Sequence, residues 1–131
     1  MTRALVIGGG PAGLMAAEVM AQAGLSVTLC EAKPSVGRKF LMAGKSGLNL
    51  TKSEAFAPFL AAYEEAQTAL RPMLEAVDAQ AVQDWAEGLG QEVFTGSTGR
   101  VFPRAMKASP LLRAWLARLA DCGVTINTRW Q

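Results

Sequence analysis

One short stretch constrains this chain more than any other. An apolar run, Ala4–Ile7, leads directly into Gly8-Gly9-Gly10-Pro11-Ala12-Gly13. A GxGxxG spacing alone is a weak signal, but here its context is complete. The run before it reads as a buried parallel strand. A helix follows to about Ala23, with Ala12, Met15, Ala16, Val19, Met20 and Ala23 at helical spacing and Gly24 as its stop. A second strand, Val27–Cys30, ends at Glu31, 18 residues after Gly13. Gly8 permits the tight turn out of the strand, and Gly10 lets a pyrophosphate approach the backbone. Gly13, with Ala17 one turn on, lets the helix lie close to the sheet. Free N–H groups at the helix start, and the helix dipole, favour an anion by about 0.3–1 kcal/mol. Glu31 can accept from a ribose 2′-hydroxyl and repels a 2′-phosphate, which disfavours NADP as the ligand of this turn.

The expected fold is therefore α/β, a partial Rossmann-type parallel sheet with an inserted helical and hairpin segment. Both NAD and FAD use such a turn. The order Gly10-Pro11-Ala12-Gly13, and the long basic loop Ala32–Leu50 in place of a quick return to helix and strand, favour FAD. Beyond that loop, Thr51 and Glu54 read as a capping box for a helix over Glu54–Leu70, broken at Arg71-Pro72. A further helix is expected over Asp78–Glu87, and a glycine-containing hairpin over Glu92–Pro103. Ser109-Pro110 open a last helix carrying Leu111, Leu112, Trp115, Leu116 and Leu119. Gly123 ends it, and Val124–Thr128 is a final strand.

Charge is distributed unevenly although the net is only +2. Lys33, Arg38, Lys39, Lys45 and Lys52 lie in an acid-free stretch, as do Arg100, Arg104, Lys107, Arg113 and Arg118. Between them, Glu54 to Glu92 is acidic. These are either solvated faces or bases that meet an anionic cofactor or substrate. There is no histidine, and Cys30 and Cys122 have no metal or CxxC spacing, so zinc and dithiol chemistry are not expected. Reduced thiols fit a cytoplasmic setting. Gly8–Pro11 and Glu18 spoil a leader-like start, and no apolar run suits a membrane span. A sequence pI of 8.7 with few aromatics does not urge nucleic-acid binding. Ala43-Gly44-Lys45-Ser46 contains the GKS of a phosphate loop, but Lys39 stands where its first glycine belongs, so nucleotide triphosphate binding is rejected.

Three blocks together carry a resemblance: Gly8–Gly13 with Glu31; Gly37-Arg38-Lys39 through Gly44-Lys45-Ser46-Gly47-Leu48-Asn49-Leu50-Thr51; and Gly99-Arg100-Val101-Phe102-Pro103 with Met106–Ser109. The chain resembles the aminoacetone-oxidase-like, bile-acid-reductase-like family of NAD(P)/FAD-dependent oxidoreductases. Many members carry Arg-Cys-Asn where this chain has Gly47-Leu48-Asn49, which suggests a subfamily. The resemblance implies FAD, with Arg38, Lys39 and Ser46, Gly47 and Asn49 along it, NAD(P)H as electron donor, and a small-molecule substrate. It divides the chain into an FAD-binding half (residues 1–50 and 105–131) and an inserted segment (51–104). Members are longer, so it also implies an N-terminal fragment whose partner is the missing C-terminal part of the same protein. The Ala4–Ile7 strand would then expose an apolar edge, and the isolated chain would be marginal or self-associating. No residue stands out as a catalytic acid or base. An NAD-dependent dehydrogenase, a non-catalytic dinucleotide-binding fragment and a flavoprotein acting on RNA are the other readings.

Overall fold

A computed structural model describes residues 2–131; Met1, part of the leader-like start, lies outside the described residues. Strand β1 (Arg3–Ile7) leads through the glycine turn into α1 (Pro11–Gln22) and β2 (Ser26–Cys30). The last helix, α6 (Ser109–Asp121), feeds β6 (Thr125–Asn127). These three strands form one parallel sheet in the order β1-β2-β6, with Val6 opposite Leu29 and Leu29 opposite Ile126. The α/β, Rossmann-type architecture is the expected one.

Helices α1 and α6 cover one face of this sheet. Val6, Val27 and Leu29 pack there against Leu14, Ala17, Leu112, Trp115 and Leu119. The other face is bare: Leu5 is 63% and Ile7 76% exposed. The fully buried strand expected at Ala4–Ile7 is thus buried only at Val6, because helices lie on one side alone. Among the described residues β1 pairs with β2 and has no second neighbour.

The buried face of α1 also differs from the expected stripe. Leu14, Ala17 and Glu18 are buried, whereas Ala12, Ala16, Val19 and Ala23 are exposed. Close packing decides this: a Cβ on Gly13 would lie 1.9 Å from the Gly8 carbonyl oxygen, so the Gly13–Ala17 side faces the turn and the sheet.

Residues 32–50 are not one continuous loop. Gly37, at φ +70°, turns the chain into α2 (Arg38–Ala43). Phe40 anchors that helix edge-on to Trp115, at 5.9 Å between ring centres. The expected capping box at Thr51 is absent. Thr51–Lys52 form β3, paired antiparallel with β5 (Arg100–Pro103), which also pairs with β4 (Val93–Thr95) as the expected hairpin. The helix expected over Glu54–Leu70 is divided into α3 (Phe56–Ala61), a 3-10 turn (Glu64–Ala66) and the start of α4 (Gln67–Ala76). Pro72 does not break α4. The helix is exposed, so water can serve the carbonyl that a proline N–H cannot, and Arg71 Nε bonds Glu75 Oε1 at 2.8 Å across that turn. Helix α5 (Ala79–Gly88) is capped by Asp78, which accepts from the Ala81 N–H. At α6 the expected cap shifts by one residue: Ser109 is already helical, and Ala108 precedes it without a side-chain bond.

Candidate dinucleotide-binding site

The site grows from the end of β1. The Gly8 N–H donates to the Cys30 carbonyl at 2.8 Å, which locks the turn to β2. Gly8 then takes φ +102°, a backbone geometry suited to glycine, and the chain reverses into α1. Gly10 precedes α1 in extended conformation, and no side chain caps the helix. Pro11 has no N–H to satisfy, and the amides of Ala12 and Gly13 have no intrahelical acceptor. A Cβ built on Gly10 meets nothing within 4 Å, so the space in front of these amides is open. That fits the cradle of an anionic group such as a pyrophosphate.

Glu31 closes the cradle from the end of β2. Its Oε2 accepts from the Lys33 N–H at 2.9 Å and its Oε1 from the Gly9 N–H at 2.8 Å. These two backbone bonds, that to Lys33 foremost, hold the carboxyl below its ordinary value of 4.5. A carboxylate has about four lone-pair positions, so each oxygen keeps room for one more donor, such as a ribose hydroxyl.

A groove of about 450 Å³ joins these parts. Gly10, Pro11, Glu31, Arg38 and Lys39 all line it, so the structure brings together five of the eleven cofactor residues expected from the sequence. Arg38 lies beside Ser35, with Nη1 3.4 Å from Oγ. Gly8 faces a neighbouring cleft at the bare sheet face, which Glu31 also lines. Ala12 and Gly13 form the first turn of α1. Ser46, Gly47 and Asn49 do not line the groove. Their loop is tied to the hairpin instead: the Leu48 N–H donates to Met106 O at 2.7 Å and the Leu50 N–H to Val101 O at 2.9 Å.

Gly9 is the residue that the sequence reading passed over. It occupies a free position of GxGxxG, yet a Cβ there would meet Val36 Cγ1 at 2.5 Å. Its carbonyl accepts from the Gly37 N–H at 2.7 Å. The basic loop therefore folds back over the turn and carries Lys33, Ser35 and Arg38 to the groove. Only the glycine at a variable position could have signalled this.

With this geometry in hand, comparison with known proteins gives one family: the HI0933-like protein Rossmann domain matches residues 2–131. A search of curated proteins returned no match. Among solved structures the chain is similar to THI4 from Thermovibrio ammonificans, at 18% identity and a TM-score of 0.57 over 98% of this chain and 38% of that one. It is also similar to the PF1083 protein from Pyrococcus furiosus, at 13% identity and a TM-score of 0.50 over 98% of this chain and 51% of that one. At such identities the likeness is one of fold. The chain spans about two-fifths and one half of the lengths of these two proteins.

Proposed function

From the premise that this chain belongs to the HI0933-like Rossmann-domain family, we propose that it is the FAD-binding portion of a flavin-dependent oxidoreductase. The observation that carries the reading is the pairing of an open, uncapped helix start at Gly10 with the Glu31 carboxylate held across it by the Gly9 N–H. The amides of Ala12 and Gly13 would hold the pyrophosphate, and Glu31 the adenosine ribose. Arg38 and Lys39 would add positive charge along the groove. When bound, the flavin supplies the electron-transfer chemistry; the chain's own part is to bind, orient and neutralise charge. Aminoacetone-oxidase-like or bile-acid-reductase-like activity, on a small-molecule substrate with NAD(P)H as electron donor, is the finer form of this proposal. It is supported by the Gly37–Thr51 and Gly99–Ser109 blocks.

Further polypeptide of the same protein is proposed to cover the bare sheet face and complete the active site. Parallel sheets are almost always covered on both faces, and Leu5 and Ile7 are the exposed apolar residues that call for it. The expected setting is cytoplasmic. Among the described residues no helix is long and apolar enough to cross a membrane.

The direct test is calorimetric titration of the purified chain with FAD and with ADP-ribose, alongside the absorbance spectrum of the protein as isolated. Saturable binding of both, with flavin absorbance released on denaturation, is the expected result. Binding of NAD in preference to FAD would favour a nicotinamide-dependent dehydrogenase instead.

A further inference from the structure

We propose that a second cavity, on the helical side of the sheet, is a binding site for an uncharged aromatic ring compound. The cavity has a volume of about 330 Å³ and lies among α1, α2, α5 and α6, walled by Met15, Phe40, Ala81, Val82, Trp85 and Trp115. That volume falls within the roughly 300–1,000 Å³ of small-molecule sites. Its lining is almost wholly apolar.

Two features separate it from an ordinary packing defect. The first is its ring geometry. Trp115 meets Phe40 at 68° and Trp85 at 80°, with centres 5.9 and 4.7 Å apart. This is the edge-to-face arrangement that aromatic groups prefer, and a further ring extends it. The second is that one wall is tied in place from behind. The Trp85 Nε1–H donates to Glu18 Oε1 at 3.2 Å. Arg118 Nη1 lies 3.8 Å from Glu18 Oε2, and its Nη2 donates to the Gly88 carbonyl at 2.7 Å. Glu18 is only 4% exposed. Burying a carboxylate is costly unless it is well paired, and the outcome here is a fixed indole. Apolar cavities shrink when their walls can relax; this tie opposes that relaxation.

The same tie defines the ligand. Trp85 has spent its N–H on Glu18, and the Trp115 N–H, without a partner among the described residues, is itself buried away from the cavity, so neither is offered to a ligand, and the apolar walls would leave a charge unsolvated. The ligand is therefore aromatic and uncharged. Val77, 57% exposed, lines the cavity on the solvent side. Pro11 lines both this cavity and the dinucleotide groove, while α2 turns Phe40 to one and Lys39 to the other. The site stands whichever dinucleotide the groove takes.

The test is titration of the intact chain with N-phenyl-1-naphthylamine, an uncharged aromatic dye that brightens when shielded from water and accepts energy from tryptophan. Saturable brightening with quenching of tryptophan emission is expected. Ala81→Phe fills the cavity and should weaken binding about ten-fold or more, which corresponds to ~1.4 kcal/mol. Val77→Asp, at an exposed position outside the helices, should do the same if Ala81→Phe fails to fold. Ile7→Thr, on the bare sheet face, should leave binding unchanged. No saturable signal, binding untouched by either filling or charging the cavity in folded protein, or binding lost in Ile7→Thr would overturn the proposal.

Discussion

Gly9 and Val36 touch so closely that the turn and the loop behind it act as one unit: a single methyl on Gly9 would lie 2.5 Å from Val36 Cγ1 and 3.1 Å from Glu31 Oε1. The glycine at this variable position is thus held by packing, and the same contact sets the loop that brings basic residues to the groove.

Gly9→Ala should therefore destabilise the fold by about 1–3 kcal/mol, the usual cost of overpacking. Val36→Gly in the same chain should recover part of that loss, because the two residues share one contact. Urea unfolding of the two single variants and the double variant measures the coupling. Strict additivity would show that the contact does not organise the loop.

Gly10 and Gly13 should separate binding from folding. Space in front of Gly10 is open, so Gly10→Glu should fold normally and lose about 100-fold or more in ADP-ribose affinity, ~2.7 kcal/mol, since its side chain and charge would occupy the pyrophosphate position. Gly13→Ala places a methyl 1.9 Å from the Gly8 carbonyl oxygen and should instead lower the melting temperature. Circular dichroism melts and calorimetric titration of both variants check the contrast. Retained affinity in a folded Gly10→Glu chain would place the phosphates elsewhere.

The first 31 residues and the last helix were legible because their signals are local. Gly8, Gly10, Gly13 and Glu31 mark their own jobs, and the stripe Leu111, Leu112, Trp115 and Leu119 marks a buried helix face. What could not be read depends on partners distant in sequence. Helix α2 lies between two glycines and is held by Phe40 against Trp115, 75 residues on. The Thr51–Glu54 pattern was overridden because β5 claims this backbone, with the Ser53 N–H donating to Gly99 O at 2.8 Å. In α1, alanines on several sides made the stripe ambiguous, and close approach at Gly13 chose the face. Of the expected cofactor residues, Gly10, Pro11, Glu31, Arg38 and Lys39 meet in one groove and Gly8 lines the cleft beside it, whereas Ser46, Gly47 and Asn49 follow the hairpin.

Acid should weaken the turn through Glu31. Its carboxyl is held below 4.5 by the Lys33 and Gly9 N–H groups. A group with a depressed folded value contributes stability that is complete above the unfolded value and is lost as pH falls through the folded one. The loss therefore comes below about pH 4.5, and none is expected from this group between pH 5 and 8. Glu31→Gln should remove that contribution to the acid dependence and weaken ADP-ribose binding at neutral pH. Denaturant melts of both chains across pH 3–7 provide the check; identical acid profiles would show that the two backbone bonds contribute nothing.

The bare sheet face makes the last prediction. Strand β1 presents Leu5 and Ile7 to solvent and pairs only with β2 among the described residues. Unpaired edges and exposed apolar side chains both favour association with further chain. Studied alone at rising concentration, the chain should self-associate and melt over a broad range. Ile7→Lys places a charge on that face without touching the core around Val6, and should shift the population toward monomer. Sedimentation velocity over a concentration series distinguishes the outcomes: a wild-type chain that stays monomeric and unfolds in one sharp transition would mean that the face is stable as it stands.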